Sequence, residues 1–280
     1  MKKFSILKDP VKNNELLETG FVRLSILKND EIEVLKQYKS QQHEGEILNG
    51  LYVSANRLEK DKSQEISDFL LEVLSNKINK IVDKVEILGG TYIIKGAHTI
   101  EKLEPHQDWN IVDESDGRSY TLWIALEDTN DLNGALYMLP RSHEKFRGYR
   151  HLTIPSIYGK VYEAVWKFMI PVHLKAGEGV LFDHAIGHAS MPNLTTKDRI
   201  AVTCSLITKN FNYRFYCLKD NTISEYIGQA DFYQTEEAKF GPGTLKKIRV
   251  LDDAPYQLTK WKLLKNYGWF SGILSYLRMI

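Results

Sequence analysis

The apolar residues of this chain change period near Val85, and that change limits the folds open to it. Upstream, after Asp61, Ile66, Phe69, Leu70, Val73, Leu74, Ile78 and Ile81 recur at helical spacing, with Glu65, Asp68, Glu72 and Lys80 between them. Such spacing predicts an amphipathic helix with one buried face. A shorter stripe of Ile32, Leu35 and Tyr38 follows Asn29, a suitable cap for a helix whose first turn holds Asp30 and Glu31. Residues 20–24 predict a short strand ahead of it. Beyond Val85 the pattern becomes short strands parted by Gly, Asn, Asp and Pro, at 91–95, 120–126, 135–139, 169–174, 179–182 and 199–207. A helical preface followed by many short strands predicts a mainly β fold with flanking α-helices, as in a sandwich or jelly roll.

Alternation along two of these strands divides the residues between faces. Arg199, Ala201, Thr203 and Ser205 share one side, opposite Ile200, Val202, Cys204 and Leu206. Thr121, Trp123 and Ala125 likewise oppose Leu122, Ile124 and Leu126. The first set suits a partly polar interior, and the second suits burial under helices.

That interior has candidate chemistry. His106 and Asp108 flank Gln107, and in an extended segment residues two apart point the same way, so both reach one ion. His188 is the best third ligand, 80 residues beyond Asp108 and just after the apolar run 180–182. Two histidines and a carboxylate form the facial ligand set of non-heme Fe(II) oxygenases, which leaves positions for further reactants. His184 is a rival for His188, but a pair four residues apart shares a metal only on a helix, and Gly187 and the strand-like run argue against one. Arg199 follows His188 by 11 positions and suits a dicarboxylate reactant, because a planar guanidinium makes paired, charge-assisted contacts.

Composition excludes several other classes. A net charge of +1 over 280 residues makes no electrostatic case for nucleic acid as a partner. Two cysteines, Cys204 and Cys217, do not make a disulfide framework. There is no apolar run of membrane-spanning length, and no long apolar run follows the basic N-terminus, so a cytoplasmic location is expected.

The chain resembles the phytanoyl-CoA dioxygenase family of Fe(II)- and 2-oxoglutarate-dependent oxygenases from about Leu16 to about Ile207. The resemblance is carried in order by 18–22 (ETGFV), His106-Gln107-Asp108, 123–126 (WIAL), 133–136 (NGAL), 140–143 (PRSH), 177–182 (GEGVLF), 188–190 (HAS), Pro192-Asn193 and Arg199. It implies a double-stranded β-helix of the jelly-roll, cupin-like kind, with Fe(II) held by His106, Asp108 and His188. It assigns the distal carboxylate of 2-oxoglutarate to Arg199 with help from Ser190, and places Trp123 near that cosubstrate. The implied reaction takes O2 and hydroxylates an unactivated C–H bond, giving succinate and CO2. Relatives that transfer halide carry a small residue in place of the carboxylate, so Asp108 favours hydroxylation. The expected organisation is one oxygenase domain over 1–280, with a helical preface (1–84), a jelly-roll core (85–210), a lid-like insertion (144–168) and a C-terminal extension (211–280).

The chain departs from the family in two places. Arg141 stands where the family commonly has a glycine, which predicts a differently shaped turn. Glu178 replaces the usual aspartate. No coenzyme A site is identifiable. A small-molecule or lipid-like substrate is expected, and Arg147, Arg150 and Lys160 in the insertion are available for an anionic group. The aromatic and basic residues of 258–278 suit a helical cap, a dimer contact or a peripheral membrane contact. Two other functions are compatible with the same ligands. One is a cupin-type isomerase or hydrolase that uses no 2-oxoglutarate, and the other is a catalytically silent binding module.

Overall fold

A computed structural model of the protein describes residues 4–42, 50–57, 60–230, 232–235, 237–251 and 255–268. The first half of the chain holds α1 (Pro10–Thr19), β1 (Phe21–Ser25), α2 (Asn29–Gln41), β2 (Leu51–Val53), α3 (Ser54–Arg57), α4 (Lys60–Ile81), β3 (Val85–Lys95), β4 (Leu103–His106), β5 (Ser119–Ala125) and β6 (Leu136–Leu139). There follow α5 (Ser142–Lys145), α6 (Tyr162–Trp166), β7 (Ile170–Val172), β8 (Glu178–Asp183), β9 (Gly187–Ser190), β10 (Arg199–Thr208), β11 (Arg214–Lys219), β12 (Thr222–Ile227), α7 (Glu237–Phe240), β13 (Lys247–Leu251) and α8 (Lys260–Tyr267).

Two antiparallel sheets enclose the interior. The larger has the order β1-β8-β5-β10-β3-β2 and the smaller β4-β9-β6-β7. Trp123, Ala125, Val180, Phe182 and Ala201 of the larger sheet pack with Leu136, Met138 and Val172 of the smaller in one apolar cluster. On its other face the larger sheet presents Leu122, Ile124, Leu181, Val202, Cys204 and Leu206 to Ile66, Leu70, Leu74 and Ile78 of α4. Each such side chain contributes roughly 1.5–3 kcal/mol on burial. The period-two division of β5 and β10 is therefore realised as expected, and the architecture is the jelly roll with helices outside.

The elements differ from the sequence expectation where local signals mislead. Asn29 is the first residue of α2 rather than its cap. Lys28 takes the cap position, and its N–H donates to the Glu31 carboxylate at 2.8 Å. β3 begins at Val85 and runs through Gly89 and Gly90, which read as a strand break. A Cβ on Gly90 would lie 2.7 Å from Leu70 Cβ, so the missing side chain is what lets α4 lie close on the sheet. The strands β11, β12 and β13 form a separate three-stranded sheet that the weak pattern after residue 210 did not announce.

The segment after β6 is packed rather than bare. Phe146, Ile157, Tyr158, Val161 and Val165 form a cluster with Leu258, Leu263 and Tyr267 of the C-terminal region. The Tyr267 hydroxyl donates to Pro140 O at 2.8 Å, which ties α8 to the same segment. Trp261, on the opposite side of α8, is 68% exposed. The expectations that rested on residues 269–278 lie outside the described residues. Cys204 and Cys217 are both buried and free, and no described helix is long and apolar enough to cross a membrane.

Arg141 adopts a backbone conformation that favours glycine. Its φ is 66°, in the left-handed region, its N–H donates to Thr19 O at 2.7 Å, and it precedes α5. An L-residue here accepts a conformation, favoured by glycine, that costs roughly 1–2 kcal/mol. The Arg141 side chain is exposed, so little is lost with it. Arg141→Gly is expected to leave stability unchanged or raise it by up to about 1 kcal/mol, read as a higher urea midpoint at constant m-value.

Candidate metal centre

The two sheets bring three ligand atoms together. β4 ends at His106 and pairs antiparallel with β9, where His106 stands opposite His188. Asp108 follows two residues later. One ligand atom from each of the three lies within 4.8 Å of the others. His188 Nε2 is 3.6 Å from Asp108 Oδ1, and the two imidazole rings are 4.2 Å apart.

Neighbouring groups fix which atom of each side chain faces the cluster. His106 Nδ1 contacts Glu104 O at 2.8 Å, and His188 Nδ1 contacts Ile186 O at 3.2 Å. A carbonyl can only accept, so each Nδ1 carries the proton and each Nε2 keeps a free lone pair. The Thr121 hydroxyl donates to Asp108 Oδ2 at 2.8 Å, leaving Oδ1 toward His188. Burial, and then the charge on His188, lowers His106 to about 4, so this imidazole is neutral near pH 7. Burial raises the Asp108 carboxyl, but His188, His184, His106 and the Thr121 hydroxyl together outweigh it and the net shift is downward. Two imidazole nitrogens and one carboxylate oxygen fit a divalent first-row metal.

His184 is not brought into this group. It lies just past β8, its Nδ1 is 3.3 Å from Trp109 O, and its buried Nε2 is 4.0 Å from Asp108 Oδ2. It contributes charge to Asp108 rather than a third ligand atom.

The loop bearing Asp108 is held from behind by the segment after α5. Gln107 Nε2 donates to Phe146 O and to Ala185 O, and Arg150 Nε donates to Asp108 O at 2.8 Å. Arg150 also pairs with Glu114, as does Arg147 at 2.9 Å, and Arg147 reaches Asp183 at 2.8 Å. Arg147 and Arg150 are thus both paired with internal carboxylates. Their sequence pattern carried no sign of this, because the partners lie in other loops. The two guanidinium groups overcome burial and hold the Glu114 carboxyl well below the usual range.

Arg199 begins β10 on the interior face and is 2% exposed. Its guanidinium carbon lies 5.0 Å from the ring centre of Trp123. Its Nε and Nη1 are buried without a hydrogen-bond partner. Burial lowers it to about 10, with Glu127 opposing. A buried donor without an acceptor is costly, and this one lies on Trp123 in the same interior cluster whose Phe182 packs on His188. The arrangement fits an anion bound there. Directly opposite Arg199 on β3 is Lys95, which is also 2% exposed. Its Nζ donates to Ser190 Oγ at 2.9 Å. Sequence reasoning missed Lys95. The signal available was its parity with Thr91 and Ile93 at the end of a predicted strand.

The family model described as Phytanoyl-CoA dioxygenase (PhyH) matches residues 29–201. Phytanoyl-CoA dioxygenase domain-containing protein 1 of Rattus norvegicus is 32% identical over 129 residues, which cover 43% of this chain and 44% of that protein. The match thus spans about half the length of the curated relatives. Among solved structures, SnoK, described as a non-heme alpha ketoglutarate dependent carbocyclase from nogalamycin biosynthesis, is similar with a TM-score of 0.56 and 15% identity over 73% of this chain and 86% of that one. HygX from Streptomyces hygroscopicus, with nickel and 2-oxoglutarate bound, is similar with a TM-score of 0.53 and 13% identity over 72% and 87%. At these identities the likeness is one of fold.

Glu114→Gln leaves Arg147 and Arg150 short of a buried counter-charge and is expected to cost about 3–5 kcal/mol of unfolding free energy. Because the native Glu114 carboxyl is depressed, its stabilisation is complete above the ordinary 4.5 and is lost as pH falls through the lower native value. Urea titrations of the two proteins should differ at neutral pH and converge on acidification.

Proposed function

The chain belongs to the phytanoyl-CoA dioxygenase family, whose model spans residues 29–201, and on that premise we propose that it is an Fe(II)- and 2-oxoglutarate-dependent dioxygenase that hydroxylates an unactivated C–H bond. The observation that carries the reading is the buried Arg199 guanidinium, unpartnered at Nε and Nη1, on the same interior as His106, Asp108 and His188. A cupin-type isomerase or hydrolase needs the ligand set but leaves that guanidinium without an acceptor. A silent binding module needs neither.

Each side chain has a role in this reading. Nε2 of His106, Nε2 of His188 and Oδ1 of Asp108 hold the iron, and the backbone carbonyls behind the imidazoles keep those lone pairs forward. Thr121 steadies Asp108 through its second oxygen. Arg199 receives the distal carboxylate of 2-oxoglutarate by charge-assisted hydrogen bonds, Ser190 adds a hydroxyl, and Trp123 walls the cation against water. Bound iron supplies the redox chemistry that couples oxidative decarboxylation of 2-oxoglutarate to C–H oxidation. The balance is 2-oxoglutarate, O2 and R–H giving succinate, CO2 and R–OH. The apolar lining from Val180, Phe182 and Ala201 keeps bulk water from the reacting atoms.

For the substrate we favour a small or lipid-like molecule. HygX has been crystallised with hygromycin B, and an apolar interior without a coenzyme A motif suits a compact organic molecule.

Protein loaded with Fe(II) is expected to bind 2-oxoglutarate in anaerobic calorimetry, and with labelled dioxygen one oxygen atom should enter succinate. Arg199→Met should weaken 2-oxoglutarate about a hundredfold or more, and His188→Ala should abolish metal binding. Unchanged affinity in Arg199→Met, or no succinate with any substrate of a broad panel, would sink the assignment.

A further inference from the structure

Lys95 is a second buried cation in the same end of the cavity, and among the described residues neither it nor Arg199 has a carboxylate in salt-bridge contact. Such a pair is unusual, because each charge loses its hydration and repels the other. The fold makes particular room for it. Gly134, at φ 86°, sits where an added Cβ would lie 2.7 Å from Lys95 Cδ, so any side chain there would displace the lysine. Asn193 Nδ2 donates to Lys95 O at 2.9 Å and holds the strand end in place.

The donors of Lys95 are already spoken for. Its Nζ reaches Ser190 Oγ at 2.9 Å, Ser190 O at 3.4 Å and Met191 O. An ammonium has three hydrogens, so Lys95 has none left for a bound carboxylate. Its effect passes through Ser190. A hydroxyl that accepts from an ammonium keeps its single hydrogen to donate elsewhere. With Lys95 occupying one of its lone pairs, Ser190 keeps its hydrogen for an acceptor on the interior side.

We propose that Lys95 is a positioning residue that fixes the Ser190 hydroxyl as a donor beside Arg199 and thereby sets the selectivity of the cavity for a 2-oxo acid with a distal carboxylate. This rests on the cosubstrate role given above to Arg199 and Ser190. Burial, and then the charge of Arg199, lowers Lys95 to about 7, with Glu101 opposing. An anion between the two cations relieves that repulsion, whereas a neutral ligand end does not.

The test is calorimetry on the Ni(II)-loaded full chain with two ligands, 2-oxoglutarate and 2-oxopentanoate, which has the same chain length without the distal carboxylate. Lys95→Met should weaken 2-oxoglutarate about tenfold or more and leave 2-oxopentanoate within about twofold. In a Ser190→Ala background the same substitution should cost much less, because the group it acts through is gone. Lys95→Gln, which keeps a donor without the charge, should fall between wild type and Lys95→Met and guards against a folding defect in the apolar variant. Equal weakening of both ligands, or an undiminished effect in the Ser190→Ala background, would show Lys95 to be only a strand tie and overturn the proposal, as would unchanged 2-oxoglutarate affinity. Arg199→Met separates the two readings. If it too leaves 2-oxoglutarate affinity unchanged, the cosubstrate assignment itself fails.

Discussion

One constraint governs the larger sheet. Successive side chains on a strand must point to opposite faces, so β5 and β10 each serve two environments at once. Leu122, Ile124, Val202, Cys204 and Leu206 are spent on α4, and the alternate positions are left for the interior. Arg199 is buried because its neighbours Ile200 and Val202 are wanted on the other side. Lys95 follows from the same rule, since antiparallel register sets it directly against Arg199. The smaller sheet closes over these residues and brings His188 opposite His106. The site is therefore a by-product of how two sheets must share their side chains.

Charge in the interior is organised in two zones. Near β4 and β9 a single carboxylate, Asp108, is surrounded by His106, His184 and His188, and their combined pull overcomes the cost of burial. At the other end Arg199 and Lys95 stand opposite each other, with no acid in salt-bridge contact among the described residues. An interior with ligand atoms at one end and two buried cations at the other suits a molecule with a chelating head and an anionic tail. The Glu114, Arg147, Arg150 and Asp183 network lies outside this cavity and has a mechanical part. It balances its own charges and holds the backbone of Asp108.

Much of this was legible in the sequence. The helical stripe of α4, the face division of β5 and β10, and the preference for His188 over His184 all follow from spacing. What escaped reading had identifiable causes. Gly89 and Gly90 looked like punctuation, and only the approach of Leu70 explains why a strand runs through them. Arg147 and Arg150 looked like solvated or ligand-binding charges, because their acids are far away along the chain. Lys95 ended a strand and was given no role, and its burial depends on the gap left by Gly134. β11 to β13 were missed because an edge sheet with half-exposed strands has no clean alternation.

The pairing of β3 with β10 joins residues more than a hundred positions apart, as does that of β1 with β8. Chains dominated by such distant contacts fold slowly, because loop entropy is lost before the contacts reward it. β10 is the later partner of β3 and lies between β5 and β3 in the sheet. Until it arrives, Lys95 has no neighbouring guanidinium and α4 has only part of the surface it covers. The interior is therefore complete only with β10 in place between β5 and β3. Ligand capture reports on completed folding as much as on chemistry.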